Sequence, residues 1–398
     1  MRRWLFAVKG VWKLMLLFLL LLITFSYAMF QGGFVSWFLF YSFLPFGLYA
    51  FALAMYPLHR IHVKRELSSQ EVSAGDTLSI RLSIHMDTIF PLFFLVIEDH
   101  ITSSLQMKKY LLFPGFRKNL VVSQSFKEIP RGEHVFRYVR LKIGDPLGLI
   151  EREVNMSLED RMIVYPTYEE IVYQPFSHQF DQGMTASDER VQRDTSMATG
   201  VREYQPGDRF SWINWKTSAK RNEMMVKEFE QRKSHDVYLL IDRFPDVHFE
   251  AIVSFTASLV YAILRKGAQV GFLSAGRNRV EFPILGGEGQ LQRIFYHLAT
   301  VKADSKRPLE QVLDVEKSLA QQNDQLLLVT AKLNKRLLEK ASFYSQKGSV
   351  TIFLVKKKEE QAVQEEIRLK DTATSRGIRI QIVHEGQFSA AFSEVRSG

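Results

Sequence analysis

The sequence predicts a multidomain chain: an N-terminal two-helix transmembrane hairpin, an antiparallel β-sandwich and then an α/β domain. Three observations predict it. No Lys, Arg, Asp, Glu or His occurs from Leu14 to Leu58. Residues 61–166 carry short strand-like runs between turn residues, with no helical period. From Asp236 onward, continuous apolar strands alternate with amphipathic helices, the pattern of a mostly parallel sheet covered by helices.

The uncharged run comes first. A membrane-crossing helix needs roughly 20 apolar residues. This run holds two, divided by Gln31-Gly32-Gly33, which predicts spans at 14–30 and 34–56 within a hairpin over residues 1–60. Pro45 and Gly47 fall in the second span, where neighbouring helices can re-satisfy the backbone. Arg2, Arg3, Lys9 and Lys13 precede the first span, and Arg60, Lys64 and Arg65 follow the second. Positive charge at both ends predicts a multi-pass membrane protein whose soluble domains face the cytoplasm. One competitor stands beside this: Ser26-Tyr27-Ala28 resembles a small-x-small cleavage site. Cleavage there would leave one span and could place the soluble part outside.

The same basic residues explain the net charge of +9. They all precede the first acidic residue, Glu66, and the remainder of the chain is close to neutral. The basic excess therefore points to a lipid bilayer and not to nucleic acid. Cysteine is absent, which excludes disulfides, thiolate zinc sites and thiol nucleophiles.

The β-sandwich is predicted over residues 61–170. Leu78, Ile80, Leu82 and Ile84 alternate with Thr77, Ser79, Arg81 and Ser83, the mark of a half-buried strand. Further strands are expected at 92–97, 120–126, 134–143, 149–154 and 162–165. Turns fall at Ser73-Ala74-Gly75-Asp76, Pro114-Gly115, Pro130-Arg131-Gly132 and Gly144-Asp145-Pro146. Residues 171–199 are polar and read as a linker. The α/β domain spans 234–386, followed by a tail over 387–398. Its strands are expected at 237–241, 269–274, 279–283, 325–330, 349–355 and 378–383. Its helices are expected at 249–265, 288–301, 309–321, 334–346 and 359–376.

Residues 200–233 stand between these regions and concentrate charge and tryptophan. Gln205-Pro206-Gly207-Asp208 suits a tight turn. Asp208 is then placed to cap a helix over 209–220, with Trp212, Lys216 and Ala219 on one face and Asn222 closing it. A strand is expected at 224–230. The bland reading is a clasp between domains: two tryptophan rings buried among the charges of Arg202, Glu203, Asp208 and Arg209. The sharper one is a site for an anionic group or a protein partner, formed by Arg202, Tyr204, Asp208, Arg209, Asn214, Trp215 and Lys216, with Lys220 alongside.

The pattern R-x-Y-x-x-G-D-x-x-x-x-I-N-W-K-x-S-A lies at Arg202, Tyr204, Gly207, Asp208, Ile213, Asn214, Trp215, Lys216, Ser218 and Ala219. It resembles the signature of the bacterial domain-of-unknown-function-58 family. Arg131-Gly132 and Gly144-Asp145-Pro146-Leu147-Gly148-Leu149 are similar to that family's upstream elements. The likeness covers nearly the whole chain. It implies a von Willebrand factor A-like (Rossmann-like) C-terminal domain and association with MoxR-type AAA+ ATPases; it implies no defined activity.

Domains of that type often carry a metal-ion-dependent adhesion site that opens with Asp-x-Ser-x-Ser, because hard divalent cations require converging oxygens. Here the residues are Asp242-Arg243-Phe244-Pro245-Asp246: the aspartate is present and both serines are missing. Thr330 fits a later ligand, but Ala331 stands where an aspartate would follow. Asp242, Asp246 and Thr330 thus read as a degenerate site with at most weak affinity for a divalent cation, and no cofactor is expected.

Other motifs fail on their own terms. Ser274 ends an apolar strand, but Phe272 replaces the glycine a nucleophile elbow requires. Gly286-Gly287-Glu288-Gly289 lacks a following Lys-Ser/Thr, and its glutamate would repel phosphate. The histidines show no metal spacing. Lys356-Lys357-Lys358-Glu359-Glu360 reads as a solvated helix start. No catalytic residue is assigned. The leading expectation is a membrane-anchored non-enzymatic adaptor or scaffold for a protein partner, the AAA+ ATPase or its client. The alternatives are an enzyme acting on an envelope substrate through Arg202, Asp208, Asn214 and Lys216, and an extracytoplasmic adhesion-like module.

Overall fold

The computed structural model describes every residue except 1, 70, 102–108, 175–191, 206–207, 209, 233–235, 317–324, 347 and 397–398. The chain divides into two units, Met1–Tyr165 and Pro166–Gly398.

The first unit opens with two helices, α1 (Arg2–Gln31) and α2 (Phe34–Ala54). They pack side by side: a Cβ on Gly47 would press against Leu21, and Phe25 meets both Trp37 and Phe40. Of the two expected spans, α2 is long and apolar enough to cross a membrane. Among the described residues, the apolar part of α1 is Met15–Gln31, shorter than that.

Among the described residues, eight strands follow. The first four are β1 (Ile61–Leu67), β2 (Glu71–Ser73), β3 (Leu78–Met86) and β4 (Phe94–Ile101). The next four are β5 (Lys109–Leu112), β6 (Asn119–Phe126), β7 (Gly132–Gly144) and β8 (Glu151–Tyr165). They form a sheet of order β1-β3-β6 and another of order β2-β8-β7-β4-β5. Leu82, Ile84 and Val122 of the first sheet share a buried core with Leu95, Ile97, Val139 and Leu141 of the second. Two strands expected at 149–154 and 162–165 are one strand, β8, paired along β7 with a single irregularity. The Gly144–Leu149 element is a turn: Asp145 accepts the Leu147 and Ile150 N–H groups, and Gly148 takes φ +69°. A side chain at Gly144 would collide with the Phe94 ring.

The second unit begins earlier in the chain than a linker over 171–199 would allow, since Ile171 and Tyr173 are buried in its core. An antiparallel ribbon of β9 (Gln192–Glu203) and β10 (Met225–Arg232) encloses the short helix α3 (Trp215–Arg221). Next come β11 (Val237–Ile241), α4 (Phe249–Arg265), β12 (Val270–Ala275), β13 (Arg279–Leu285), α5 (Glu288–Thr300) and α6 (Leu309–Val315). The chain continues through β14 (Gln325–Thr330), α7 (Lys335–Ser345), β15 (Val350–Lys356), α8 (Gln364–Thr374) and β16 (Ile378–His384).

The sheet order is β13-β12-β11-β14-β15-β16, parallel except for the β12–β13 pair. Its inner strands β11, β12, β14 and β15 are buried on both faces because helices cover both. Val237, Leu239 and Ile241 pack with α4 and α5; Tyr238 and Leu240 face α6, α7 and α8. The expected tail is not peripheral: Phe388, Ala391 and Phe392 are buried in the α4 layer.

Candidate functional site

The signature segment is a loop folded against its own ribbon. The Tyr204 N–H donates to the Met224 carbonyl (2.8 Å), and the Asn214 N–H to that of Met225 (2.8 Å). Arg202 grips Asp208 with both guanidinium nitrogens (2.8 and 2.7 Å), and Asp208 also accepts the Gln205 N–H (2.9 Å). Bidentate pairing of this kind fixes geometry as well as charge. Asn214 accepts the Thr217 N–H (3.3 Å) and caps α3. The Ser218 hydroxyl donates to the Asn214 carbonyl (3.0 Å) and accepts the Met225 N–H (2.9 Å).

The expected helix over 209–220 therefore begins later. Phe210–Trp212 is a 3₁₀ turn, and Ile213 is held in backbone pairing with Val226. A helix cannot run through a residue committed to a strand partner, so it starts at Trp215. Asp208 is engaged by Arg202, and the cap passes to Asn214. Asn222 closes α3 in the left-handed region, φ +56°. Arg209, with Pro206 and Gly207, lies outside the described residues.

The tryptophans do not form the buried clasp. Trp215 is 67% exposed, Phe210 is 69% exposed and Trp212 is half-buried. Tyr204 stacks on Phe210 with ring centroids 6.2 Å apart. Lys216 is exposed. The polar signature residues Arg202, Asp208, Asn214 and Ser218 thus set the loop's shape, while its outward face is aromatic.

A second cluster lies at the carboxyl edge of the parallel sheet, where β11 adjoins β14. That is the position at which open α/β sheets place ligands. Asp242 follows β11 and accepts the Thr330 hydroxyl (2.7 Å) and the Phe244 N–H (2.9 Å). Burial pushes its carboxyl above the usual range, against those two bonds. Asp246 accepts the His248 N–H (2.9 Å) and imidazole Nδ1 (2.5 Å) and pairs with Lys332 (3.0 Å). His248 Nε2 reaches Glu360 (2.5 Å). The Lys356 ammonium meets Glu366 at 2.7 Å and Glu360 at 3.4 Å.

This donor set does not suit a divalent cation. The Thr330 hydroxyl proton is directed to Asp242, Phe244 stands where a serine oxygen would be, and Asp246 already faces an imidazole and an ammonium. Among the described residues no cluster of three His, Asp or Glu side chains could hold a metal. The positive charge at this edge is supplied by side chains.

Sequence reasoning missed His248, Lys332, Lys356, Glu360 and Glu366. Lys356 is not a solvated helix start: it ends the fully buried strand β15 and is 4% exposed. The available signal was its place directly after Val350–Val355, an apolar run that continues into the sheet edge.

The network sets a pH dependence. Burial disfavours the His248 cation, but hydrogen bonds from it to Asp246 and Glu360 win and raise its pKa above 6.5. Burial likewise opposes ionisation of Asp246, but the His248 and Lys332 contacts bring it down to about 2 from 3.8. The His248 hydrogen bond holds Glu360 below 4.5. A raised histidine stabilises fully below its unfolded pKa and loses that contribution as pH rises through the folded one; lowered carboxylates lose theirs as pH falls. Stability of the second unit from this network is therefore greatest between 4.5 and 6.5. His248→Asn is expected to flatten the alkaline limb of a plot of melting temperature against pH. An unchanged limb would exclude the imidazole as its cause.

The C-terminal half matches the model of the family described as "Protein of unknown function DUF58", over residues 200–396. The uncharacterized protein YeaD of Bacillus subtilis (strain 168) is 39% identical over 397 residues, covering 98% of this chain and 99% of that protein. Similarities to solved structures are faint. The CARDB domain of the PF1109 protein from Pyrococcus furiosus is 11% identical and aligns over 26% of this chain and 91% of its own, with a TM-score of 0.21. Proximal thread matrix protein 1 from the mussel byssus is 14% identical over 41% of this chain and 46% of its own, with a TM-score of 0.27. Scores of this size carry no argument about fold or function. The near full-length relative and the signature match together decide the assignment: the chain belongs to the DUF58 family of unknown function.

Proposed function

We propose that this protein is a membrane-anchored, non-enzymatic scaffold that presents its α/β unit to a protein partner. The single observation that carries this reading is the exposure of Trp215 and Phe210 on a segment whose polar signature residues are engaged with one another. Exposed aromatic side chains on a rigid support are typical anchors of protein interfaces. The resemblance to domain-of-unknown-function-58 proteins supplies the class of partner, a MoxR-type AAA+ ATPase or its client, and a von Willebrand factor A-like identity for the unit. The paired helices α1 and α2 are read as a two-span anchor, and the flanking Lys and Arg support a cytoplasmic orientation as part of this proposal.

The geometry gives an enzymatic reading little support. Arg202 and Asp208 neutralise each other, and Asn214 is a helix cap. An extracytoplasmic adhesion module would want the ion site that Phe244, Lys332 and His248 have replaced.

The test is binding of the purified, co-encoded ATPase to the full chain in detergent. Trp215→Ala combined with Phe210→Ala is expected to weaken binding by about 2 kcal/mol or more, close to 30-fold. The melting temperature should hardly move, since exposed substitutions change stability by about 0.5 kcal/mol or less. Unaltered affinity in the double variant would remove this surface from consideration.

A further inference from the structure

We propose that the sandwich of the first unit is itself a membrane-inserting collar, its loop tips entering the lipid interface around α2. This rests on the reading that α2 enters a bilayer.

The loop 87–93 is fastened to the last turns of α2. The Tyr49 hydroxyl donates to the Pro91 carbonyl (3.0 Å) and accepts the Phe93 N–H (3.0 Å), and the Tyr49 ring stacks on Phe90 at 5.3 Å. Arg152 donates to the carbonyls of Ala54 and Tyr56, closing the end of the helix. The loop 113–118 is tied to the first loop in turn. Leu92 and Gly115 exchange backbone hydrogen bonds (3.0 and 2.9 Å), and Phe93 meets Phe113 edge-on at 6.2 Å. On a third side, the turn at 145–150 brings Ile150 into a cluster with Leu17 of α1 and Ala50 of α2, with Leu149 against it.

These loops are apolar where they should meet water. Ile89 and Phe116 are each 75% exposed, and Phe93, Phe113 and Leu147 are also exposed. A concentration of exposed apolar side chains on one end of a domain marks a surface meant to be covered. Depth identifies the cover. Tyr49 lies about 8 Å of helix axis before Ala54, at ~1.5 Å per residue. Loops hydrogen-bonded at that level sit beside the span, within the ~5–10 Å that interfacial apolar groups penetrate. Charge agrees. Residues 88–93 and 113–118 contain no Asp or Glu, and Arg117 and Lys118 follow Phe116 directly. The bordering Asp87 pairs with His62 and His85. The pattern suits an anionic lipid surface, with aromatics at the acyl boundary and bases among the headgroups.

The absence of cysteine permits a direct test with the full chain. Single substitutions Ile89→Cys, Phe93→Cys, Phe116→Cys, Phe46→Cys and Lys127→Cys each provide one labelling site for a fluorophore. Phe46 reports on α2, and Lys127 lies past the far end of β6, some 25 Å along the strand at ~3.3 Å per residue. The protein is reconstituted in phosphatidylcholine–phosphatidylglycerol vesicles containing lipids with a quencher on the acyl chain. Quenching at positions 46, 89, 93 and 116 but not at 127 is the expected result. Quenching at 46 alone, with 89, 93 and 116 responding to aqueous iodide as 127 does, would overturn the collar while leaving the span intact; the patch would then fall to a protein partner. No lipid quenching at 46 would overturn the span and the collar together.

Discussion

Replacing Arg65 by alanine is expected to destabilise the first unit by about 3–5 kcal/mol, the usual consequence of leaving a buried charge without its partner. Arg65 sits on β1, and its side chain is fully buried. Its guanidinium bonds Asp99 on β4 (2.6 and 3.3 Å), Asp160 on β8 (2.7 Å) and the Leu158 carbonyl (2.8 Å). It also lies 4.9 Å from the centre of the Phe136 ring. One residue thereby ties the two sheets together. Asp160 can turn to water when Arg65 is removed, but Asp99, at 1% side-chain exposure, cannot.

Burial already pushes the Asp99 carboxyl above 3.8 despite the attraction of Arg65. A raised carboxylate pKa means that ionisation opposes folding: its stabilising contribution is complete below 3.8 and is lost as pH rises through the folded value. The Arg65→Ala defect should therefore shrink as pH falls and Asp99 takes a proton. Calorimetry of the full chain in detergent at several pH values measures this. The double variant Arg65→Met with Asp99→Leu should recover most of the loss, since apolar replacement of a whole buried pair is often neutral or better. A defect independent of pH and unrelieved by the double change would show that packing against Phe136, and not charge, is what Arg65 supplies.

Lys356→Met is expected to cost the second unit about 2–3 kcal/mol, less than a fully enclosed pair because Glu360 is partly solvated. Methionine retains the apolar stem but leaves Glu366 and Glu360 without the ammonium. Glu366 still accepts the Val363 N–H (2.9 Å) at the start of α8, which limits the loss. Since the two units have separate cores, unfolding of the full chain is not expected to be two-state. Lys356→Met should lower the transition that His248→Asn also lowers and leave the one moved by Arg65→Ala in place. If all three variants shift one common transition, the units unfold as a single cooperative body.

Much of the architecture was legible because its signals are local. The strands Val237–Ile241, Gln325–Thr330 and Val350–Lys356 are apolar on both faces, and only a covered parallel sheet accommodates that. The alternation in Leu78–Met86 announced a half-buried strand. The errors arose where a distant residue decides. Ile213 leaves the helical path for Val226, which lies beyond the helix. Arg65 reads as one more basic flank of a membrane helix until Asp99, far along the chain, is brought beneath it. Lys356 and Glu360 look solvated in a run of charges, and only the fold carries His248 to Glu360. For the signature, sequence order located the segment but not the division of labour within it. Which residues face inward depends on the ribbon that the segment folds against.

The burial of Phe388 and Phe392 beside Phe255, Phe353 and Tyr173 bears on how the chain is made. In the core of the second unit Tyr173 packs against Phe392, a residue more than two hundred positions later. A ribosome must therefore release the sheet's last neighbours before that core can seal. By then α2 has long since emerged. Through that interval Phe255 and Phe353 lack the Phe388 and Phe392 rings that cover them, so the nascent unit exposes apolar surface until its last residues emerge.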